Sequence, residues 1–366
     1  MINQLTRKLY LERMYQGDRK FLKIIIAILS TVIIGLFIWI VVIKEEPPVI
    51  ENWPEIEYVP SYKKIANDAI AEYKRQGRDY YSHIQAYDPF GDYLKYGEIR
   101  NYRESRKVTF DGNGVPKVKY GEEFQYNPVT VSQYALTRYG QYILGNKESR
   151  NLFISAVDKL LEMQDEVGAF RYDFEWEYYL TKETYKPGWV SGMAQGLALS
   201  VFARAYNLTK DGRYLAAGNK TVDFLVTPIE DGGTMSNLKD LDPSLTDYIF
   251  FEEYISKPHN YTLNGFMFTL LGLYDWKALN DKYKFDKEKV AEEYFESGVE
   301  SLAKVLPYYD IDGFSAYDLG HLTFDVRPHI GIGYHGVHIY LLHVLHELTG
   351  VRELQVFENI WRYSVE

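Results

Sequence analysis

The sequence predicts a mostly α-helical protein, an incomplete (α/α) toroid of about four helical hairpins, preceded by a small β-hairpin-containing segment and one N-terminal transmembrane helix. Three observations predict this fold class. Residues 24–43 form an apolar run without a charge. A tyrosine-rich stretch with turn signals follows, over residues 80–126. After residue 126, a pattern of two apolar helices separated by a short turn recurs, which is typical of stacked helical hairpins.

The first 60 residues indicate a membrane anchor. Twenty helical residues rise about 30 Å, which is the thickness of one bilayer core. Basic residues dominate before the run, so the positive-inside rule makes residues 1–23 a cytoplasmic basic tail and places the chain after Lys44 outside. A cleaved signal peptide is the alternative, but no small-residue cleavage site follows the run. We expect a single-pass type II membrane protein whose main domain is extracytoplasmic.

Composition narrows the class of partner. Residues 45–366 carry 34 Lys and Arg against 49 Asp and Glu, a net charge of −15, which argues against nucleic acid. The chain has no cysteine, so disulfides and thiolate metal sites are excluded. Its 34 tyrosines fit a carbohydrate-facing surface and also fit aromatic packing in a helical fold.

The elements between the membrane run and the repeats follow from local signals. Residues 44–60 contain four prolines and predict an extended spacer. Residues 61–126 form an N-terminal segment that opens with an amphipathic helix over residues 61–75. Asp111-Gly112-Asn113-Gly114, between two short β-prone runs, predicts a β-hairpin.

The repeated hairpins occupy residues 127–366. Their spans are residues 131–163, 190–226, 264–306 and 334–363. In a toroid, the turns before the first helix of each hairpin face one cup. These turns hold the chain's distinctive polar and aromatic residues: Tyr126-Asn127-Pro128, Lys186-Pro187-Gly188-Trp189, Glu252-Glu253-Tyr254 and the stretch from Tyr317 to His338.

Residue types in these turns allow acid–base chemistry. Glu253 beside Tyr254 could act as a general base next to a phenol, or belong to a solvated acidic turn. Tyr317 and Tyr334 could be acid or base partners if neighbours shift their pKa. Trp189 could stack on a sugar or cap the core.

Histidines are concentrated near the C-terminus. His335 and His338 lie three apart, on one helical face, and could be read as metal ligands. No His-Glu-x-x-His pattern or thiolate accompanies them. Histidines that hydrogen-bond a sugar or orient a tyrosine are therefore favoured, and we expect no metal.

Several motifs, in one order over about 180 residues, resemble those of the glucuronyl 5-epimerases that act on heparosan and N-sulfated heparosan. They are Pro187-Gly188-Trp189-Val190-Ser191-Gly192-Met193-Ala194-Gln195-Gly196, Leu208-Thr209-Lys210-Asp211, Glu252-Glu253-Tyr254, Leu263-Asn264-Gly265-Phe266-Met267 with Gly272-Leu273-Tyr274-Asp275, and Tyr317-Asp318-Leu319-Gly320-His321 with Tyr334-His335.

The resemblance implies an enzyme that converts D-glucuronate to L-iduronate within a heparosan-like polysaccharide, by removing the proton on carbon 5 and returning one from the opposite face. It implies catalytic roles for Tyr254, Tyr317 and Tyr334, with Glu253 beside Tyr254. It implies an acidic polysaccharide as partner, allows a homodimer, and requires no cofactor because no oxidation occurs. The expected substrate contacts are Tyr126, Lys186, Trp189, Gln195, Asn264, His321, Arg327, His335 and His338.

Two departures from the family pattern bear on function. The family motif reads Tyr-Asp-Leu-Arg-His, and here Gly320 takes the place of the arginine. Either Arg327 or Lys186 replaces it, or the substrate differs in sulfation or backbone. The β-sandwich that the animal enzymes carry after the first helix is missing.

The alternatives are a uronan lyase or glycoside hydrolase on the same toroid, and a non-catalytic, membrane-anchored glycan-binding protein.

Overall fold

A computed structural model describes residues 60–285 and 289–366. The basic tail, the transmembrane helix and the spacer expected over residues 1–60 lie outside these residues, apart from Pro60, at which the first helix begins. Within the two described ranges, no helix has both the length and the hydropathy needed to cross a bilayer.

Four helical hairpins follow one another after residue 127, as the repeat predicted. Their helices are α3 (Pro128–Ile143) and α4 (Ser149–Met163), α5 (Gly192–Thr209) and α6 (Gly212–Leu225), α7 (Leu263–Tyr283) and α8 (Lys289–Tyr309), and α10 (Ile332–Thr349) and α11 (Arg352–Val365). The first helices form an inner row in which α3 contacts α5, α5 contacts α7, and α7 contacts α10. A further short helix, α9 (Gly320–Thr323), precedes α10.

The N-terminal segment lies against both ends of this row. It contains α1 (Pro60–Gln76), a 3-10 turn (Tyr80–His83) and α2 (Tyr96–Ile99). The 3-10 turn and α1 contact α10, while α2 contacts α3. The segment therefore fills the space between the first and last inner helices.

The predicted β-hairpin is confirmed and belongs to a three-stranded antiparallel sheet. Its strands are β1 (Val108–Phe110), β2 (Pro116–Tyr120) and β3 (Glu123–Gln125), with Val108 opposite Val118. The Asp111 carboxylate accepts the N–H groups of Asn113 and Val115, both at 2.9 Å, and fixes the turn. Gly114 has φ +76°, a value that glycine adopts without strain.

Short antiparallel strand pairs occupy the turns that the sequence left irregular. They are β4 (Arg171–Tyr172) with β7 (Trp189–Val190), β5 (Trp176–Glu177) with β6 (Thr184–Tyr185), β8 (Met235–Asn237) with β9 (Ile249–Phe251), and β10 (Asp310–Ile311) with β11 (Phe314–Ser315). Paired strands satisfy backbone N–H and C=O groups that would otherwise be buried without partners. They also hold the turns at fixed positions above the inner helices.

The inner helices α5 and α7 cross in close contact at two glycines. A Cβ atom added at Gly196 would lie 2.4 Å from the Thr269 Cα, and one added at Gly272 would lie 2.0 Å from the Gly196 carbonyl oxygen. Neither distance is compatible with a side chain. The crossing brings together the turns that precede α5 and α7, which carry the acidic and aromatic residues of the site.

The same two helices share a buried ion pair. The Arg204 Nη1 atom of α5 lies 2.6 Å from the Asp275 Oδ2 atom of α7, and both side chains are fully buried. The Tyr87 hydroxyl donates to Asp275 at 2.8 Å, and Arg204 also donates to the carbonyl oxygen of Gly91 at 3.1 Å. This network joins the N-terminal segment to the inner row.

We expect Asp275→Asn to destabilise the protein by about 3–5 kcal/mol, because the substitution keeps the shape but leaves the buried Arg204 charge without its counter-ion. Urea unfolding followed by circular dichroism measures the change. Asp68→Asn is the matched control, since Asp68 pairs with Lys64 on the surface of α1, and we expect a change below about 0.5 kcal/mol. Equal effects of the two substitutions would contradict the role given to the buried pair.

Candidate active site

A pocket of about 360 Å³ opens where the turns before the inner helices meet. Ligand pockets in proteins typically measure about 300–1,000 Å³. Each of the four turns contributes lining residues, among them Asn127, Trp189, Glu253 and Tyr334. The convergence expected from the repeat is therefore present. The complete lining is Arg100, Tyr120, Asn127, Val129, Gln133, Tyr172, Trp176, Trp189, Ser191, Met193, Glu253, Tyr254, Asn264, Phe268, Tyr334 and Val337.

Glu253, Tyr254, Tyr317 and Tyr334 form a cluster at the pocket, and Tyr317 is the member that does not line it. The Tyr317 and Tyr334 ring centroids are 4.5 Å apart. The hydroxyls of Tyr254 and Tyr317 lie close enough to the Glu253 carboxyl to favour its charged form by hydrogen bonding. Tyr317 is buried, whereas 42% of Tyr334 is exposed. Tyr317 and Tyr334, which follow Tyr254 by 63 and 80 positions in the sequence, thus lie with it around the Glu253 carboxyl group.

Backbone hydrogen bonds hold this cluster in register. The Gly192 N–H at the start of α5 donates to the Glu252 carbonyl oxygen at 2.7 Å, and the Leu263 N–H at the start of α7 donates to the Tyr317 carbonyl oxygen at 3.0 Å. Gly265 lets Glu253 lie against the first turn of α7, because a Cβ there would be 2.3 Å from Glu253 Oε2.

Burial changes the acidity of Glu253. Desolvation raises its pKa to about 7, although hydrogen bonding from Tyr254 and Tyr317 opposes the shift. Its Oε2 atom is buried and has no hydrogen-bond partner among the described residues. A carboxyl group with a pKa near neutrality can accept and release a proton under physiological conditions.

Burial also raises the pKa of the three phenols, which keeps them protonated. Desolvation raises the pKa of Tyr254 and Tyr317 well above 10, and the charge of Glu253 adds to the shift in both. Desolvation also raises the pKa of Tyr334. The three side chains are therefore neutral phenols, which are proton donors, and Glu253 is the group in this cluster that can serve as base near neutral pH.

Aromatic side chains form a second wall of the pocket. Trp189 stacks on Tyr172 with ring centroids 3.7 Å apart and donates its indole N–H to the Phe174 carbonyl oxygen at 3.0 Å. Trp176 stacks on Trp189 at 5.7 Å and on Tyr254 at 4.9 Å. Trp189 therefore packs against aromatic neighbours and also lines the pocket. Flat aromatic faces of this kind suit the apolar faces of sugar rings.

A polar group outside the pocket lining supports the phenols. The Tyr179 ring lies 5.7 Å from that of Tyr254 and 6.3 Å from that of Tyr317. Its hydroxyl donates to the buried Asp318 carboxylate at 2.6 Å and accepts from Asn260 Nδ2 at 2.9 Å. His329 Nδ1 lies 3.0 Å from the same Asp318 oxygen. Tyr179 is therefore fixed between two of the three cluster tyrosines.

Arg100 is the one basic residue that lines the pocket among the described residues. Its Nη1 donates to the Gln133 side-chain oxygen at 2.9 Å, and its guanidinium lies 3.7 Å over the Tyr96 ring. These neutral contacts fix the guanidinium, and no Asp or Glu among residues 60–285 and 289–366 forms an ion pair with it.

The expected substrate contacts divide into two groups. Trp189 and Asn264 line the pocket together with Glu253, Tyr254 and Tyr334. The remaining expected contacts do not line it: Tyr126, Lys186, Gln195, His321, Arg327, His335 and His338.

His335 and His338, which the sequence predicts as substrate contacts, are buried and have their partners within the protein. His335 stacks on Phe314 at 3.7 Å, and its Nε2 lies 3.1 Å from the Trp361 carbonyl oxygen. His338 Nδ1 lies 2.7 Å from Ser315 Oγ, and both histidines are fully buried. Desolvation lowers the pKa of His335 to about 3 and that of His338 well below 6.5, so both are neutral.

The polar residues near the other turns are also held elsewhere. Tyr126 donates to Asp111 at 2.6 Å, and Lys186 pairs with Glu175 at 2.7 Å. Gln195 is fully buried and accepts the Phe170 N–H at 3.3 Å. His321 is buried with its ring 5.9 Å from Tyr62. Arg327 is exposed. None of these five residues lines the pocket, and their contacts with a substrate stay predictions.

Sequence reasoning missed several pocket residues. Arg100, Tyr120 and Gln133 come from the N-terminal segment and from α3, where no motif singled them out. Tyr172 and Trp176 come from a region predicted only as a turn. The high tyrosine content was the sole signal, and it does not separate pocket residues from packing residues.

This pocket combines a titrating carboxyl, neutral phenols and aromatic platforms, which defines an acid–base site suited to a carbohydrate. The family described as "D-glucuronyl C5-epimerase C-terminus" matches residues 164–363, more than half of the chain. The chain belongs to this family.

Individual relatives extend the similarity beyond the matched region. A D-glucuronyl C5-epimerase of Caenorhabditis elegans is 30% identical over 289 residues, which cover 77% of this chain and 43% of that protein. An uncharacterized protein of Methanocaldococcus jannaschii is 29% identical over 248 residues, which cover 61% of this chain and 76% of that protein. The chain thus spans less than half the length of the nematode relative.

Solved structures show lower similarity. A polysaccharide lyase has a TM-score of 0.43 at 16% identity, with 82% of this chain and 83% of that chain covered. A family 76 glycoside hydrolase from a bovine Bacteroides thetaiotaomicron strain has a TM-score of 0.40 at 13% identity, with 71% and 48% covered.

We expect Glu253→Gln to gain stability relative to the wild type as pH rises. Folding raises the pKa of Glu253 from 4.5 to about 7. The contribution of Glu253 to the free energy of unfolding is therefore fully present below pH 4.5 and is lost as pH rises through 7. The difference in unfolding free energy should move by about 2–3 kcal/mol in favour of the variant between those limits. Urea titrations at acid and alkaline pH measure it.

The exposed Glu104→Gln is the control, because it makes the same substitution at a side chain that folding does not bury. A Glu253→Gln difference that does not change with pH would mean that Glu253 is ionised in the folded protein throughout the range.

Proposed function

We propose that the chain is a hexuronate 5-epimerase that converts D-glucuronate to L-iduronate within a heparosan-like polysaccharide, on an incomplete (α/α) toroid of four hairpins. The observation that carries the proposal is the pocket cluster, in which a carboxyl of pKa about 7 lies beside three neutral phenols. Membership of the epimerase family supports the same reaction.

The first half of the reaction requires a base. The C5–H bond breaks, its proton passes to the Glu253 carboxylate, and its electrons move into the neighbouring carboxylate of the sugar to give an enediolate. Glu253 suits this role because its pKa lies near the pH of reaction and it lines the pocket. The phenols are poor bases, since their raised pKa values keep them protonated.

The second half requires an acid on the other face of the ring. Tyr317 and Tyr334 are neutral donors whose rings lie 4.5 Å apart, and Tyr334 is open to the pocket. One phenol delivers its proton to carbon 5 as the enediolate electrons return to form the new C5–H bond. The proton held by Glu253 then returns to the phenolate through the cluster. Tyr254, next to Glu253, completes this path. No electrons are gained or lost overall.

The sugar ring has a platform in the aromatic wall. Trp176 and Trp189 present stacked faces, and Trp176 lies against Tyr254. A ring held on this wall would have carbon 5 near the cluster. Binding against rigid aromatic faces limits the ordering cost of positioning the sugar.

The proposal includes the location of the protein. The apolar run of residues 24–43 and the basic residues before it support a type II membrane anchor with the pocket on the extracytoplasmic side, in the Golgi lumen of a eukaryotic cell. This part rests on the residue pattern alone.

The test is to incubate the full-length protein with heparosan in deuterated water and to follow deuterium at carbon 5 by NMR. We expect incorporation into intact chains. Unsaturated ends that absorb in the ultraviolet would identify a lyase, and new reducing ends without unsaturation would identify a hydrolase. Absence of all three changes with every uronan would replace the proposal with a glycan-binding role.

We expect Tyr317→Phe and Tyr254→Phe each to reduce exchange by a factor of at least about 10², because each removes one proton-transfer group from the cluster. Circular dichroism should show that both variants are folded. Tyr214→Phe is the control, since Tyr214 bonds Asp158 away from the pocket. Exchange at the wild-type rate in either cluster variant would remove that tyrosine from the mechanism.

The pH dependence of kcat/KM should report the base. We expect the rate to fall about tenfold per pH unit below pH 7, because protonation of Glu253 removes the acceptor. Glu252→Gln is the matched control, since Glu252 is buried outside the pocket lining with a pKa of about 8, and its profile should follow that of the wild type. A wild-type rate that is flat between pH 5 and 8 would exclude Glu253 as the base.

A further inference from the structure

The proposed reaction creates a charge problem at the sugar carboxylate. Removing the C5 proton from a carboxylate adds a second negative charge to the same group of atoms. Such a dianion forms at a useful rate only beside a cation or strong hydrogen-bond donors placed before the reaction. The pocket therefore needs a positive group, and the inference below rests on the proposed function in this respect.

The position at which the family carries its arginine offers no such group. A Cβ added at Gly320 would lie 3.0 Å from Leu180 Cδ1 and 2.9 Å from Asp318 Oδ1. Leu180 thus fills the space into which a side chain at residue 320 would extend. An arginine at residue 320 would require the Leu180 side chain to move.

The two replacements expected from the sequence do not reach the pocket. Lys186 forms its ion pair with Glu175, and 73% of its side chain is exposed. Arg327 is exposed, and neither residue belongs to the pocket lining. Neither is placed to meet a carboxylate bound beside Glu253.

We propose that Arg100 binds the carboxylate of the reacting uronate, and that the polymer carries no sulfate on the sugar bound in this pocket. Arg100 lines the pocket together with its partner Gln133. The bond from Nη1 to Gln133 Oε1 and the contact with the Tyr96 ring fix the guanidinium plane. An arginine has five N–H donors in a planar fork, and a carboxylate accepts two of them side by side.

The charge of Arg100 is free to meet a ligand. Among the residues that the structure describes, no Asp or Glu oxygen lies within ion-pair distance of its guanidinium. A half-buried cation without a protein counter-ion gains more from a bound anion than an exposed one does. Arg100 and Glu253 come from different parts of the chain and line one pocket, so cation and base can act on neighbouring atoms of one sugar.

The balance of charges in the pocket sets the class of sugar. The lining holds one cation, Arg100, and one acid, Glu253, while the remaining lining residues are neutral. One guanidinium fork matches one carboxylate. A sulfate on the same ring would lie desolvated among aromatic side chains without a second cation, which is unfavourable. The pocket therefore selects a uronan whose bound ring has its carboxylate as its only anion.

The test is calorimetric binding by the full-length protein, with three probes: heparosan, its carboxyl-reduced derivative and a derivative sulfated at O2 of the uronate ring. We expect Arg100→Gln to weaken heparosan binding about 10- to 100-fold, because a charged hydrogen-bonded contact is lost. Binding of the carboxyl-reduced polymer should not change. Arg100→Lys should recover part of the loss, since it restores charge without the planar fork. Arg103→Gln, an exposed arginine in the same segment, is the matched control and should bind like the wild type.

The outcomes separate this inference from the proposed function. Equal affinity of Arg100→Gln and wild type for heparosan would overturn the role of Arg100, even if deuterium exchange occurs. Wild-type binding of the O2-sulfated polymer that equals or exceeds that of heparosan would overturn the substrate class. A protein that distinguishes heparosan from its carboxyl-reduced form through Arg100 but exchanges no C5 proton would support the carboxylate site and refute the epimerase. Unchanged thermal unfolding of Arg100→Gln shows that lost binding is local.

Discussion

The pocket depends on one carboxyl group kept out of water. Glu253 is 7% exposed, and its desolvation moves its pKa to about 7. In water the same group would be a weak base with an ordinary carboxylate pKa. Burial also keeps the adjacent phenols neutral, because desolvation raises their pKa. The negative charge of an ionised Glu253 raises it further. One environment therefore sets both the acceptor and the donors, and the distances between them follow from how the surrounding helices pack.

The helical core supplies that environment through contacts distant from the chemistry. Helices α5 and α7 can approach closely because Gly196 and Gly272 carry no side chains. Their first residues hold the Glu252 and Tyr317 carbonyl groups by backbone hydrogen bonds. The buried Arg204–Asp275 pair connects the same two helices. A small shift of either helix would change the distances between the Glu253 carboxyl and the phenols. The packing of the core therefore sets the geometry of the pocket.

The sequence predicted the four hairpins and the meeting of their leading turns because these depend on period and order, which are local properties of the chain. Tyr254, Tyr317 and Tyr334 were singled out by their motifs, and they do meet around Glu253. The histidines show the limit of such reasoning. Three-residue spacing places His335 and His338 on one helical face, but it does not tell whether that face meets solvent or the core. Here it meets Phe314 and Trp361.

Arg100 and Trp176 were missed for a related reason. Both lie in irregular segments without a period, and their importance comes only from what long-range packing places opposite them. The replacement of an arginine by Gly320 was visible in the sequence, yet the compensating residue lies 220 positions away. Only the fold relates Gly320 to Arg100. Leu180 lies against Gly320, whereas Arg100 lines the pocket.

The N-terminal segment that fills the space between α10 and α3 makes the site a composite of two stretches of chain. The family match begins at residue 164 and includes Glu253 and the three tyrosines. Arg100, Tyr120 and Gln133 lie before it. In the proposed mechanism, residues after 164 transfer the proton and Arg100 binds the sugar's carboxylate. The two parts of the sequence can therefore diverge at different rates. Under the proposed roles, a substitution before residue 164 can change the contact with the sugar's carboxylate while the residues that transfer the proton stay the same.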